Sequence, residues 1–150
     1  MATVLIADSS APLRRAAQFL FESLGFDVAG AREGTEALDL VQGMAPDLLI
    51  ADSRLPGFEG TALVEAVRKL AAGAQPCIFF VADHSGPASI RAALEAGADD
   101  YLIKPFDREL LTFKLAQATA RGKLVMRPRV TKLVQDNSSS WRFRTFSRAV

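Results

Sequence analysis

Two periodicities alternate along the first 121 residues of the chain. Residues 3–7 (Thr-Val-Leu-Ile-Ala) form a short apolar run of the kind buried on both faces of a sheet, and the run stops at Asp8-Ser9-Ser10. Leu13, Ala16, Leu20 and Leu24 then recur at helical spacing, with Ser10 as the N-cap, Pro12 in the first turn and Gly25 as the stop. The same pairing repeats. Residues 26–30 read as a second strand, and Thr35 caps a helix carrying Ala37, Leu40, Val41 and Met44 that Pro46 closes. Residues 47–51 (Asp-Leu-Leu-Ile-Ala) read as a third strand, followed by Asp52 and the turn Leu55-Pro56-Gly57. Leu63, Val67 and Leu70 mark a third helix that Gly73 ends, and residues 77–82 a fourth strand. Ile90, Ala93 and Leu94 belong to a fourth helix that stops at Gly97. Residues 101–103 are a fifth strand cut off by Lys104-Pro105, and Asp107 caps a last helix to about Arg121 with Leu111, Leu115 and Ala118 inward.

Five strands alternating with five helices predict an α/β fold, a doubly wound parallel sheet with helices on both faces joined by right-handed crossovers. Most of Val4, Leu5, Ile6, Leu48, Leu49, Ile50, Ile78, Phe79 and Phe80 should then be buried. At 150 residues, 49% apolar and 23% charged, the chain has room for one well-formed core and the composition of an ordered globule. Its single cysteine, Cys77, excludes a disulfide scaffold, favours a reducing compartment, and sits in an apolar run that suits an inert buried thiol. No apolar stretch approaches the ~20 residues of a membrane span, and the N-terminus lacks the basic start of a secretory signal, so a cytoplasmic protein without membrane contact is expected.

Charge divides the chain where the periodicity ends. Residues 1–121 carry 11 Lys/Arg against 16 Asp/Glu, a net of −5, and residues 122–150 carry 7 against 1, a net of +6. The expected organisation is a folded domain over 1–121 and a basic tail, linker or docked extension over 122–150. That tail holds one candidate strand at residues 124–126, Pro128, a low-complexity Ser138-Ser139-Ser140, and a weak alternation through Trp141-Arg142-Phe143-Arg144-Thr145-Phe146. It shows no helix-turn-helix pattern, so nucleic acid is not an expected partner, although its basic and aromatic residues could touch phosphates nonspecifically.

Ligands of open parallel sheets sit beyond the carboxyl ends of the strands. Those ends are Asp8 and Ser9, Asp52, Val81 and Lys104. An Asp after a strand is, taken alone, usually a turn or cap residue. Here three separate segments deliver two carboxylates and one ammonium to one edge, a set that suits a hard cation, above all Mg²⁺, and a phosphoryl oxygen.

The segments that carry these residues resemble the receiver domain of two-component response regulators. They are Val4-Leu5-Ile6-Ala7-Asp8-Ser9-Ser10, then residues 46–60 (Pro-Asp-Leu-Leu-Ile-Ala-Asp-Ser-Arg-Leu-Pro-Gly-Phe-Glu-Gly) and residues 93–106 (Ala-Leu-Glu-Ala-Gly-Ala-Asp-Asp-Tyr-Leu-Ile-Lys-Pro-Phe). The resemblance spans residues 3 to about 121 and implies a flavodoxin-like sheet of order 2-1-3-4-5. It implies that Asp52 accepts a phosphoryl group from a histidine kinase or a phosphotransfer protein, with Lys104 contacting that group. Asp8, Asp52 and the backbone carbonyl of Arg54 would hold Mg²⁺, Lys104-Pro105 would be a cis peptide, and Tyr101 would be the aromatic switch. Output would pass by protein contacts to a downstream target, with the fourth helix, fifth strand and fifth helix as the partner and homodimer face; the domain would not itself be an enzyme.

Two positions depart from the family pattern. Ser9 stands where a second acid is usual and is a neutral, weaker metal ligand; Val81 stands where a hydroxyl usually senses the phosphoryl group and cannot form that hydrogen bond. Two readings follow: a phosphorylated receiver that has drifted, or a pseudo-receiver acting without phosphate as an interaction module. Readings from other classes fit less well. A hydrolase of the haloacid dehalogenase type needs a second acid where Ser10 stands, and a flavodoxin-like cofactor binder needs a longer phosphate loop than Asp8-Ser9-Ser10-Ala11-Pro12 provides.

Overall fold

The computed structural model describes residues 2–70, 75–83, 87–125, 130–135 and 141–146. Its elements run β1 (Thr3–Ala7), α1 (Ala11–Ser23), β2 (Asp27–Ala31), α2 (Gly34–Met44), β3 (Leu48–Asp52), α3 (Ala62–Arg68), β4 (Cys77–Ala82), α4 (Pro87–Ala96), β5 (Asp100–Ile103) and α5 (Arg108–Ala120). A two-residue ladder, Arg54–Leu55 against Phe58–Glu59, tightens the turn after β3. Beyond α5, β6 (Val130–Gln135) and β7 (Trp141–Phe146) pair antiparallel, Val130 opposite Phe146 and Gln135 opposite Trp141.

The five main strands form one parallel sheet, as the alternating periods predict, in the order β2-β1-β3-β4-β5 that the resemblance implies. Because side chains alternate across a strand, each strand feeds two cores. Leu5, Ala7, Leu49, Ala51, Ile78, Phe80 and Ala82 pack against Ala37 and Val41 of α2, Leu63, Val64 and Val67 of α3 and Ala93 of α4. Val4, Ile6, Leu48, Ile50, Phe79, Val81 and Leu102 pack on the other face against Phe21 of α1 and Leu111 and Ala118 of α5. All nine strand residues expected in the core are at most 3% exposed.

The local signals hold at most helix ends. Ser10 Oγ accepts from Leu13 N–H at 3.4 Å and Asp107 Oδ1 from Leu110 N–H at 2.8 Å, satisfying first-turn donors that a helix cannot satisfy itself. Gly97 ends α4 at φ 120°, and a Cβ there would lie 2.7 Å from Arg68 Cγ. That close approach serves a clasp. Arg68 donates through Nε to Gly97 O (2.9 Å), through Nη1 to Pro76 O (2.8 Å) and through Nη2 to Asp99 Oδ2 (2.9 Å), and the same Asp99 oxygen accepts from Ile78 N–H (2.8 Å).

Several expectations are corrected. Helix α2 starts before Thr35, with Glu33 at the N-cap and no side-chain cap, because its first residue is docked tertiarily: Gly34 N–H donates to Pro56 O, and a Cβ on Gly34 would lie 2.2 Å from the Phe58 ring. On α1 the expected stripe divides: Leu20 and Leu24 pack against the second core, whereas Leu13 is 49% exposed and Ala16 exposed, and Phe21 is fully buried. Strand boundaries shift by one residue in β2, β3 and β5, which makes Asp52 the last residue of its strand rather than the first of the turn. Leu124 and Val125 lie in no strand: Lys123 and Leu124 N–H both donate to Ala118 O, so the backbone is still turning off α5 while Leu124 is buried beneath it. Gly73, Met126, Pro128 and Ser138-Ser139-Ser140 lie outside the described residues.

Cys77 opens β4 and is buried. Burial, and after it the negative charge and hydrogen bond of Asp99, push its thiol up to about 12 from 9.0. Below pH 9.0 folded and unfolded chains both hold this proton; between 9.0 and about 12 only the folded chain does, so stability falls as pH rises through that window. Denaturant midpoints on either side of pH 9.0 should therefore drop more steeply for the native chain than for Cys77→Ala, and native Cys77 should resist iodoacetamide until the chain unfolds. Equal slopes, or alkylation of the folded chain at the rate of a free thiol, would contradict it.

Candidate functional site

The alternation that builds the second core also builds the site. One step of the pleat beyond Ile6, Ile50 and Leu102 come Asp8, Asp52 and Lys104, so the three project from the same face of the sheet at its carboxyl edge. Strands β1 and β3 are hydrogen-bonded neighbours with Ala7 opposite Ala51, which brings the carboxylates side by side. Strand β5 lies two places from β3, and the lysine side chain spans that gap. Lys104 Nζ sits 2.8 Å from Asp8 Oδ2 and 2.8 Å from Asp52 Oδ1. The other oxygens are also held: Asp8 Oδ1 accepts from Ser10 N–H at 2.9 Å, and Asp52 Oδ2 from Arg54 N–H at 3.3 Å. Asp8 and Asp52 are both buried. Burial alone pulls the Lys104 pKa down, but hydrogen bonds to Asp52 and then Asp8, together with their charges, more than offset it and leave the ammonium above its ordinary 10.5.

The remaining expected residues take different places. Val81 stands opposite Asp52 in the β3–β4 register and is 1% exposed. Ser9 is exposed on the loop beside Asp8. The Lys104–Pro105 peptide is cis. Tyr101 is half-buried away from the carboxylates, its ring under Lys114 Nζ at 4.2 Å from the centroid.

Three features lay outside the motif reading. Arg54 and Asp83 form an ion pair, so the loops following β3 and β4 are tied together beside Asp52. Lys114 Nζ pairs with Asp100 Oδ1 at 2.8 Å, both side chains largely buried. The third is an apolar groove of about 400 Å³ that runs from the carboxylates along α1, lined by Leu13, Ala16, Ala17 and Leu20 on one side, Pro105 and Phe106 on the other, and Ile6, Ile50 and Val81 at its floor. The helical spacing of Leu13, Ala16 and Leu20 was a signal for it, but periodicity alone reads such a stripe as core.

The donor chemistry tests whether Mg²⁺ belongs here. Two buried carboxylates with no imidazole or thiolate beside them are hard oxygen donors of the right kind, and Mg²⁺ binds through one or two carboxylates while keeping several waters. Among the described residues no cluster of three or more His, Cys, Asp or Glu converges. The residues therefore fit the ion in kind, with two carboxylates and not three. Among the described residues no helix is long and apolar enough to cross a membrane.

Comparison with known proteins agrees with this geometry. Residues 4–116 match the family model described as the response regulator receiver domain. The DNA-binding response regulators MtrA of Mycolicibacterium paratuberculosis and Mycobacterium leprae are each 34% identical over 119 residues, a stretch that is 79% of this chain and 52% of theirs, so the chain spans about half the length of these relatives. Among solved structures, the chemotaxis response regulator CheY4 of Vibrio cholerae superposes with a TM-score of 0.72 at 30% identity, covering 78% of this chain and 98% of that one. The receiver domain of the Francisella response regulator 1452 gives 0.73 at 27%, covering 82% and 100%. With the sheet order, the paired carboxylates and the lysine in place, the chain belongs to the response regulator receiver domain family, the signalling modules of two-component phosphorelays.

Proposed function

We propose that this receiver accepts a phosphoryl group on Asp52 from a histidine kinase or phosphotransfer protein and signals through protein contacts. The observation that carries it is the Lys104 ammonium held 2.8 Å from both Asp8 and Asp52 at the sheet's carboxyl edge. A carboxylate oxygen of Asp52 attacks phosphorus, the bond to the donor's nitrogen or oxygen breaks, and an acyl phosphate forms. Lys104 then faces an anionic phosphoryl oxygen with a fixed positive charge, and Arg54 N–H steadies the second Asp52 oxygen. Asp8, Asp52 and the Arg54 carbonyl would hold Mg²⁺, with Ser9 as the weaker candidate; the ion supplies charge neutralisation when bound. Phosphotransfer from a panel of purified histidine kinases tests the reading: at least one should label the chain with an acid-stable, hydroxylamine-sensitive bond. Failure of every kinase and of acetyl phosphate at any Mg²⁺ concentration would instead favour a module that works without phosphate.

The groove beside Asp52 offers the donor a surface to settle on before transfer, since its rim exposes Leu13, Ala16 and Pro105 above a buried apolar floor. Leu13→Glu, at a half-exposed rim position, should slow transfer from a protein donor several-fold and leave labelling by acetyl phosphate unchanged. An equal loss with both donors would remove the groove from the reading. Downstream contacts, including a homodimer, are assigned to the face of α4, β5 and α5, where Leu94, Leu110 and Phe113 are 42%, 37% and 57% exposed. Residues 1–121 form the receiver and residues 122–150 a basic extension carrying β6 and β7. The DNA binding named for the MtrA proteins belongs to chains of which the matched stretch is only 52%; for this chain we propose protein partners, and salt-sensitive DNA binding by residues 122–150 would argue against it.

A further inference from the structure

β5 is the edge strand of the sheet, and Lys114 of α5 reaches two consecutive residues of it. Asp100 and Tyr101 point to opposite faces of the strand, yet one group touches both. Lys114 Nζ lies 2.8 Å from Asp100 Oδ1 and 4.2 Å from the centre of the Tyr101 ring. The same Asp100 oxygen accepts the Tyr101 N–H at 2.8 Å. Carboxylate, ammonium and ring therefore form a closed set around the strand edge, with the lysine and aspartate side chains 14% and 12% exposed. An ammonium so screened from water attracts an aromatic face more strongly than an exposed one. At the carboxyl edge of β4, Val81 is buried and its side chain has no donor or acceptor that could draw the phenol toward Asp52.

We propose that Lys114 is the positioning residue for Tyr101, clamping its ring against α5 through the cation–π contact and the Asp100 ion pair, so that the α4–β5–α5 face keeps one form whether or not Asp52 carries a phosphoryl group. The second half of the statement rests on Asp52 being the phosphoacceptor; the clamp itself does not. With no competing hydrogen bond at residue 81, the contact biases the ring by about tenfold or more toward its present orientation. Partners on the α4–β5–α5 face would then sense phosphorylation through Lys104, Pro105 and Phe106, which join β5 to α5, and not through Tyr101, which is held independently.

Tyr101 is the sole tyrosine in the chain, so full-length protein made with 3-fluorotyrosine gives a single fluorine resonance. Lys114→Met keeps most of the stem and removes the charge. It should move that resonance with no phosphodonor present, whereas Lys114→Arg, which keeps a cation for the ring, should leave it near the wild-type position. Acetyl phosphate with Mg²⁺ should leave the wild-type resonance in place while intact-mass spectrometry of the same sample shows the phosphoryl adduct. In Lys114→Met/Val81→Thr, which frees the ring and restores a hydroxyl, the resonance should respond to phosphorylation. A resonance unmoved by Lys114→Met, or a wild-type resonance that shifts once the adduct forms, overturns the proposal. Absence of any adduct would defeat the phosphoacceptor reading instead, and the Lys114→Met and Lys114→Arg spectra would still decide the clamp.

Discussion

Asp52→Asn is expected to fold and to take up no phosphoryl group from acetyl phosphate or from any histidine kinase. The reasons are chemical and local. An aspartate oxygen attacks phosphorus as an anion, and a carboxamide offers neither the charge nor a stable phosphoryl adduct at neutral pH. Structurally the exchange is mild. Asp52 accepts from Lys104 Nζ and from Arg54 N–H, and an asparagine carbonyl can keep one of these bonds while the amide meets the other donor unfavourably. Lys104 retains Asp8 at 2.8 Å, so no buried charge is left alone, and the cost in stability should be about 1 kcal/mol. Labelling should fall to background while the denaturation midpoint moves little. Undiminished labelling of Asp52→Asn would place the acceptor at another side chain and undo the assignment of the site.

The fold was legible wherever a local signal and its tertiary use coincide. β4 has the bounds its sequence suggests because six apolar residues follow Pro76 and every one of them is buried between two helical layers. Ser10 and Asp107 cap the helices expected of them because the cap bond is made within three residues and needs nothing from elsewhere. Thr35 failed for the opposite reason: a competent cap residue was overruled by the docking of Gly34 under Phe58, a contact across 24 positions that no local pattern announces. In α1 the helical period was right, and the stripe it marks enters the core only at Leu20 and Leu24. A 3.6-residue repeat shows that one face is apolar, but not whether that face meets the sheet or borders a groove, and here Leu13 and Ala16 border the groove while Phe21 enters the core. Leu124, read as a strand, is instead the apolar plug under the end of α5.

The site was legible for a different reason, which is pleat arithmetic. Asp8, Asp52 and Lys104 each follow the last inward residue of a parallel strand by two positions, and Val81 is the last inward residue of its own, so the fold alone carries all four to one face and one edge. What the pattern could not show is where long side chains end. Arg54 reaches Asp83, and Lys114 reaches Asp100 and Tyr101, through four or more rotatable bonds whose settings depend on neighbours distant in sequence. No spacing rule joins Lys114 to a residue 13 positions earlier on an edge strand. The same limit applies to Tyr101, which sequence places at the switch position but cannot orient.

Ser9→Asp is expected to tighten Mg²⁺ binding about tenfold. The site as it stands holds the carboxylates of Asp8 and Asp52 against the Lys104 ammonium that bridges them, a formal charge of −1 toward an incoming cation. A carboxylate at residue 9, exposed on the loop next to Asp8, takes this to −2 without displacing any buried group. At ~4 Å and an effective dielectric near 20, one added charge pair is worth ~4 kcal/mol before desolvation is subtracted. Most of that is lost to dehydrating a reluctant ion and to ordering the loop, leaving ~1–2 kcal/mol, or about a factor of ten in Kd. Ser9→Ala should change little, since a neutral hydroxyl contributes weakly beside two carboxylates. Calorimetric titration of the wild type, Ser9→Asp and Ser9→Ala measures binding without reference to phosphotransfer. A wild-type affinity equal to that of Ser9→Asp would mean that the missing acid costs the site nothing and that Lys104, rather than the charge at residue 9, governs how tightly the cation is held. If the tenfold difference is found, phosphorylation of the native chain should need correspondingly more Mg²⁺, and that dependence should disappear in Ser9→Asp while the behaviour of Tyr101, held from the far side by Lys114, stays as it was.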